Sequence, residues 1–258
     1  MIIALTRPPT DALARCELTH VERVPIDIDR AVEQHRAYES ALADCGARVV
    51  SLAPEPDLPD AAFVEDTAIV LDDVAVITRP GAASRRRETE GVARVLADYR
   101  PLERLEAPAT MDGGDVVRIG DLLLIGASTR TNGDGVRQFG AIARRHGYQT
   151  RPVPIGGCLH LKSACTHVGN GRLLVSPGWV DEDAIADLEL LHVPAEEPHG
   201  ANTVLVGAGV LMARGAPRTQ ELLEGHGIEV RTVDLSELRK AEAGGSCMSV
   251  VFEGDDVR

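Results

Sequence analysis

Five stretches of this chain share one grammar, and that repetition limits the folds open to it more than any other feature. "FVEDTAIVLDDVAVITRPG" is a polar cluster, a β-prone run, a tight polar turn and a second β-prone run. "MDGGDVVRIGDLLLIGAS", "HLKSACTHVGNGRLLVSPG" and "ANTVLVGAGVLMARG" repeat it, with GD, GNG and GAG as the turns. Val, Ile and Leu runs flanking Gly, Asn or Asp are the hairpin signal. "GGSCMSVVFEGDD" supplies a fifth start, and the opening "MIIALTRP" can serve as its second strand. Asp66, Asp112, His160, Asn202 and Cys247 stand near the heads of successive units, 42 to 48 residues apart. Each unit therefore reads β-β-α-β. Such small units cannot bury their own apolar faces, so they must pack around a shared axis. Their polar heads then meet at one end of it.

Helical patterns follow the hairpins. Residues 29–47 carry an Asp cap and a Gly stop, 84–99 open on Ser, and 133–147 and 217–227 end on Gly. Pro217 suits a first turn, and the acids that open 181–190 suit a helix N-terminus. No Gly/Ser linker or charge block divides the chain, so residues 1–258 are expected to form one domain. A net charge of −13 argues against nucleic acid and anionic membrane surfaces and mildly favours a cationic small molecule. There is no apolar run of membrane-spanning length and no basic start for a signal peptide. Five cysteines without CxxC spacing fit free thiols in a reducing cytoplasm, not a disulfide framework or a structural zinc site.

The heads hold the chemistry-bearing residues. Cys247 follows two glycines and a serine, which would leave room for a ligand to approach the sulfur. Cys16, Cys45, Cys158 and Cys165 read as core fillers. A thiolate nucleophile needs a cationic or imidazole neighbour. His160, after a Gly pair in "GGCLHLKSACT", is the histidine whose setting suits general acid–base work. "PDAAFVEDTA" offers Asp60, Glu65 and Asp66, and "MDGGDVV" offers Asp112 and Asp115. Asp66 and Asp112 occupy matching places in two repeats. Two inward carboxylates are costly unless they hold a planar cation such as a guanidinium.

Seven segments, "ELTH", "PDAAFVED", "TRPGAASRR", "MDGGD", "GASTRTN", "CLHLK" and "GGSCMS", run in order over nearly the whole chain. Together they resemble the guanidine-modifying superfamily, and within it most closely the dimethylarginine dimethylaminohydrolases. The resemblance implies a five-bladed αβ-propeller of ββαβ units, in agreement with the repeat. It implies that Cys247 is the nucleophile, His160 the proton donor and Asp112 the acidic third member, where some relatives carry Glu. Asp66 would grip the guanidinium, with Glu65 and Asp60 beside it and Phe63 against the substrate. Arg85 and Arg130 match positions that bind the substrate α-carboxylate. Leu18 lies in the segment resembling a mobile flap, and Ala241 matches a backbone contact near the α-amine.

The implied reaction converts asymmetric dimethylarginine or monomethylarginine to citrulline and an amine through a covalent thiouronium, with no metal or organic cofactor. Loss of Asp66 is expected to damage binding far more than folding. Partners are expected to be a methylated arginine, no nucleic acid and no membrane, with a homodimer left open. Three other readings compete: an arginine or agmatine deiminase, a non-catalytic propeller relative, and a zinc protein using Cys247 and His160. Agmatine lacks the carboxylate that Arg85 and Arg130 would bind. A binding module has no reason to keep the thiol, the imidazole and the acids together. Two ligands without the usual spacing make a weak zinc site.

Overall fold

In the computed structural model, which describes residues 1–255, the strands pair as five separate three-stranded sheets. The chain opens with β1 (Ile2–Thr6), α1 (Ile28–Asp44) and β2 (Arg48–Ser51). The second sheet comes from β3 (Ala68–Val70), β4 (Ala75–Ile77) and, after α2 (Thr89–Leu96), β5 (Leu102–Arg104). The third uses β6 (Val116–Ile119), β7 (Leu122–Ala127), α3 (Gly133–Arg145) and β8 (Gln149–Pro154). A short α4 (Leu161–Ala164) leads into the fourth, of β9 (Cys165–His167), β10 (Arg172–Val175) and β11 (Glu189–His192). The fifth holds β12 (Thr203–Val206), β13 (Gly209–Ala213), α5 (Pro217–Gly225) and β14 (Glu229–Val233). After α6 (Ser236–Arg239), β15 (Val250–Glu253) returns to the first sheet.

Within every sheet the middle strand pairs antiparallel with the inner one and parallel with the outer one. A tight turn suffices for the first pairing, while the second needs a crossover, which the helix supplies. The expected partnership of the two chain ends holds: β15 pairs with β1, Leu5 opposite Val250 and Ile3 opposite Phe252. The Met1 ammonium also donates to the Gly254 carbonyl at 2.8 Å. The fold is the five-bladed αβ-propeller anticipated above. Residues of all five inner strands, among them Ala68, Val116, Thr166, Thr203 and Val250, line one central cavity of about 590 Å³.

The core is divided among the seams between neighbouring blades. Ile69, Val76, Leu123 and Phe139 pack between the second and third blades. Val117, Leu124, Leu173 and Val175 do so between the third and fourth. Tyr38, Leu42, Leu211 and Leu238 join the fifth blade to the first. Each blade is thus buried on both faces, which is why its strands read as nearly continuous apolar runs and not as alternating ones.

The fourth blade departs from the expected pattern. A helix over 181–190 does not form; a 3-10 turn occupies Glu182–Ile185, with Asp181 accepting the Asp183 amide, and β11 begins at Glu189. Leu190 and Leu191 are claimed by pairing with Leu173 and Leu174, so the acidic start has no room to propagate. In the second blade the helical pattern also opens as a 3-10 turn, Ala83–Glu88, before α2. The cap of α1 is Asp27, two residues before the predicted start.

Candidate active site

A short turn precedes each inner strand, and these turns converge at one end of the axis. Asp66 lies in the 3-10 turn Val64–Thr67 before β3, Asp112 caps the turn Gly113–Asp115 before β6, and His160 caps α4 before β9. Asn202 follows the turn Pro198–Ala201 before β12. The Cys247 loop precedes β15. Spacing in the sequence becomes proximity in space because each unit presents its head at the same place.

The centre is an imidazole held between two carboxylates. His160 Nε2 sits 3.0 Å from Asp112 Oδ2, and its Nδ1 sits 3.8 Å from Asp66 Oδ1. Each of the three residues is at least 97% buried. Burial disfavours the imidazolium, but Asp66, Asp112 and Asp115 outweigh it and hold the His160 pKa up at about 9. For Asp66, burial opposes ionisation, yet His160, Arg85 and the Gly114 amide bring it down to about 2. Asp112 Oδ1 accepts the Gly81 amide at 2.8 Å. Asp115, fully buried, accepts from Ser128, Thr131 and the Leu161 amide, and so fixes the start of α4 that carries His160. Gly114 makes the convergence feasible: a Cβ there would lie 2.8 Å from both Asp66 Oδ1 and His160 Nδ1.

Cys247 is tied to the same turn from the other side. Its carbonyl accepts the Glu65 amide at 3.2 Å. Ser246 donates its hydroxyl to Glu65 Oε2 at 2.7 Å and its amide to Asn202 Oδ1 at 2.8 Å. The Sγ accepts the Gly244 amide at 3.3 Å. Burial, then the charges of Glu65 and Asp66, push the thiol up to about 12. Gly244 before Cys247 also meets a packing requirement. A Cβ on Gly244 would fall 2.3 Å from Asn202 Cγ, so the residue is small to let Asn202 clamp the loop.

Asp66, Asp112 and His160 present donor atoms within 4.8 Å of one another, a set that could in principle hold a metal ion. The chemistry of the set argues against one. Asp66 already pairs with Arg85 at 2.6 Å, and each ring nitrogen of His160 faces a carboxylate, so the donor atoms are engaged with one another and with a guanidinium.

No protein-family model matches the chain. It is 41% identical over 249 residues to the N(G),N(G)-dimethylarginine dimethylaminohydrolase of Streptomyces coelicolor, covering 96% of this chain and 95% of that one. To the Pseudomonas aeruginosa protein of the same name it is 40% identical over 228 residues, 88% and 90% of the two chains. The chain belongs to the dimethylarginine dimethylaminohydrolase family. The solved structure of a serine variant of the Pseudomonas aeruginosa protein, complexed with citrulline, superposes with a TM-score of 0.92. It shares 38% identity and covers 96% of this chain and 98% of that one. The N-terminal domain of the cyanobacterial arginine dihydrolase ArgZ, 22% identical with a TM-score of 0.83 and 97% of each chain covered, shares the fold.

In this member of the dimethylarginine dimethylaminohydrolase family, the remaining expected residues divide into two groups. Phe63, Ala241, Leu18 and Cys247 share one apolar cluster, which forms a non-polar flank beside the thiol. Arg130 lies 4.0 Å from Asp112 and donates to the Thr19 hydroxyl at 3.1 Å, next to Leu18. Asp60 is buried and accepts the Glu17 amide; burial raises its pKa, against the pull of Arg85. Arg85 is firmly held in place. Its guanidinium is 96% buried and donates to Asp66, Glu88 and the Asp60 and Phe63 carbonyls. One Nη1 hydrogen is left over.

Sequence reading gave no role to Glu88, Lys162, Ser246 or Glu242. Glu88 pins Arg85, and burial raises its carboxyl to about 7 in spite of that partner. Lys162 pairs with Glu65 at 2.8 Å, at the boundary of the central cavity. Lys162 and Ser246 carried a signal, the first two residues after His160 in "HLK", the second directly before Cys247 in "GGSCMS".

Proposed function

We propose that the chain hydrolyses asymmetric dimethylarginine to citrulline and dimethylamine, and monomethylarginine to citrulline and methylamine. Membership of the family supports the substrate class. The observation that carries the reading is the buried His160 ring held between Asp66 and Asp112, beside an acidic turn that also bonds the Cys247 carbonyl.

The resting thiol keeps its proton because burial, and then the charges of Glu65 and Asp66, oppose a further negative charge. A bound guanidinium supplies the missing positive charge, so the thiol loses its proton to solvent as the substrate seats. Asp66 and Asp112 orient the guanidinium with its central carbon toward sulfur, which contributes proximity and alignment. Thiolate attack forms the C–S bond and a tetrahedral adduct. His160 gives its proton to the methylated nitrogen, the C–N bond breaks, and dimethylamine leaves. Water then attacks the thiouronium carbon and the neutral His160 takes one of its protons; C–S cleavage releases citrulline as the adduct's hydroxyl proton passes to sulfur, which restores the resting thiol. Each histidine step runs in the opposite sense to the other, which suits an imidazole. Arg130 would meet the α-carboxylate, Leu18 would cover the substrate, and the Ala241 carbonyl would face the α-amine. All these residues lie within one chain, proposed as a single catalytic domain.

Mass spectrometry of the amine released from asymmetric dimethylarginine tests this directly. Dimethylamine and citrulline in equal amounts are expected, with arginine and agmatine turned over far more slowly. Ammonia from arginine as the main product would replace the reading with a deiminase.

A further inference from the structure

The segment containing Leu18 is fastened to the body at both ends by carboxylates. On one side the Glu17 amide donates to both oxygens of Asp60, at 3.2 and 3.1 Å. On the other, three consecutive amides converge on Glu242: Thr19 donates to Oε2 at 2.9 Å, while His20 and Val21 donate to Oε1. Thr19, His20 and Val21 are themselves exposed, so little else restrains them. Leu18 lies between the two fastenings and packs on the cluster that includes Phe63, Ala241 and Cys247. Thr19 in turn receives Arg130 through its hydroxyl.

Glu242 is an unusual residue for its position. Its φ of 59° lies in the left-handed region, where a side chain beyond Gly, Asn or Asp is disfavoured. A helix exit that needs this conformation is normally glycine. A long acidic side chain there makes sense if its carboxylate has work that glycine cannot do. Charge-assisted bonds to three amides give it that work.

We propose that Glu242 is the latch of the Leu18 segment: a positioning residue that closes residues 18–21 over the substrate and sets Arg130 through Thr19. It acts through those groups and does not touch the reacting atoms. A groove of about 500 Å³, walled in part by His20, Val21 and Glu242 and floored near Trp179, adjoins the segment and gives it space to move into when released. The part concerning substrate rests on the hydrolase reading; the latch itself does not.

Amide hydrogen exchange on the substrate-free protein, read with steady-state kinetics on asymmetric dimethylarginine, tests the proposal. Glu242→Gly removes the carboxylate yet suits the backbone, so folding is not threatened, and Glu242→Gln removes only the charge. In Glu242→Gly, exchange at residues 19–21 should quicken by about ten- to hundredfold, the loss expected for charge-assisted bonds, with β1 unchanged. Glu242→Gln should fall between. KM should rise about tenfold or more while kcat moves much less, because an uncovered pocket loses binding before chemistry. Unchanged exchange at 19–21 would overturn the latch, and faster exchange with unchanged KM would overturn its role in positioning substrate. A wild-type protein inactive on dimethylarginine would sink the proposed function instead, and the exchange comparison would still decide the latch.

Discussion

With the Cys247 thiol pushed up to about 12 and His160 held at about 9, the substrate-free site near neutral pH pairs a protonated thiol with an imidazolium. Alkylation of Cys247 by iodoacetamide in the free protein should therefore climb about tenfold per pH unit from pH 7 to 10, following the thiolate fraction. A plateau below pH 8 would mean a preformed thiolate. Turnover needs the Cys247 thiolate and a charged His160 together, so kcat/KM should rise with pH up to about 9 and level off above it. Cys247→Ser should still bind substrate but lose several orders of magnitude in kcat, and His160→Gln about 10²- to 10⁴-fold. Asp66 is a heavier structural element than its sequence setting implied. Its Oδ2 is 2.6 Å from the buried Arg85, so Asp66→Ala leaves a guanidinium with one carboxylate fewer. Breaking such a pair costs about 3–5 kcal/mol, so urea melts should show lost stability along with lost turnover.

At the level of elements, the turns before β3, β6, β9, β12 and β15 make the site, and close approach between them depends on missing side chains. Gly114→Ala would drive a methyl against His160 and Asp66. We expect it to cost about 1–3 kcal/mol through overpacking and to lower kcat/KM by displacing the imidazole. A variant with wild-type urea midpoint and kinetics would contradict the crowding. The heads were legible as elements because Asp66, Asp112, His160 and Cys247 each precede an apolar run at a regular interval. Their linkage was not. Nothing in the order of residues says that Asn202 clamps Ser246 at 2.8 Å, since that bond depends on where neighbouring blades dock. The fourth blade shows the same limit. Its acid-rich stretch has helix-start chemistry, and strand pairing by Leu190 and Leu191 overrode it.

For the whole molecule, ring closure through β1 and β15 places several buried ionisable groups at the hub, and these set how stability follows pH. His160, raised to about 9, adds stability that is full below 6.5 and is lost as pH rises through 9. Glu88, raised to about 7, behaves in the same sense: its contribution is full below 4.5 and gone above 7. Asp66, held at about 2, works in the opposite direction, stabilising above 3.8 and failing only as pH falls toward 2. A net charge of −13 adds self-repulsion on the alkaline side. The urea midpoint should therefore be higher at pH 6 than at pH 9.5, and Glu88→Gln should flatten the part of that decline near pH 7. A midpoint that rises between those pH values would contradict these assignments. Among the described residues no helix is long and apolar enough to cross a membrane.

By itself the sequence determined the repeat, the pairing of the two chain ends and the identity of the head residues, because hairpin turns and apolar runs are local properties of neighbouring residues. Tertiary structure alone decided the rest: that His160 lies between two carboxylates, that Arg85 turns inward to Asp66, and that Glu242 reaches the Leu18 segment. Those contacts join residues from 19 to 223 positions apart. Their geometry is fixed only when five separately patterned blades close around one axis.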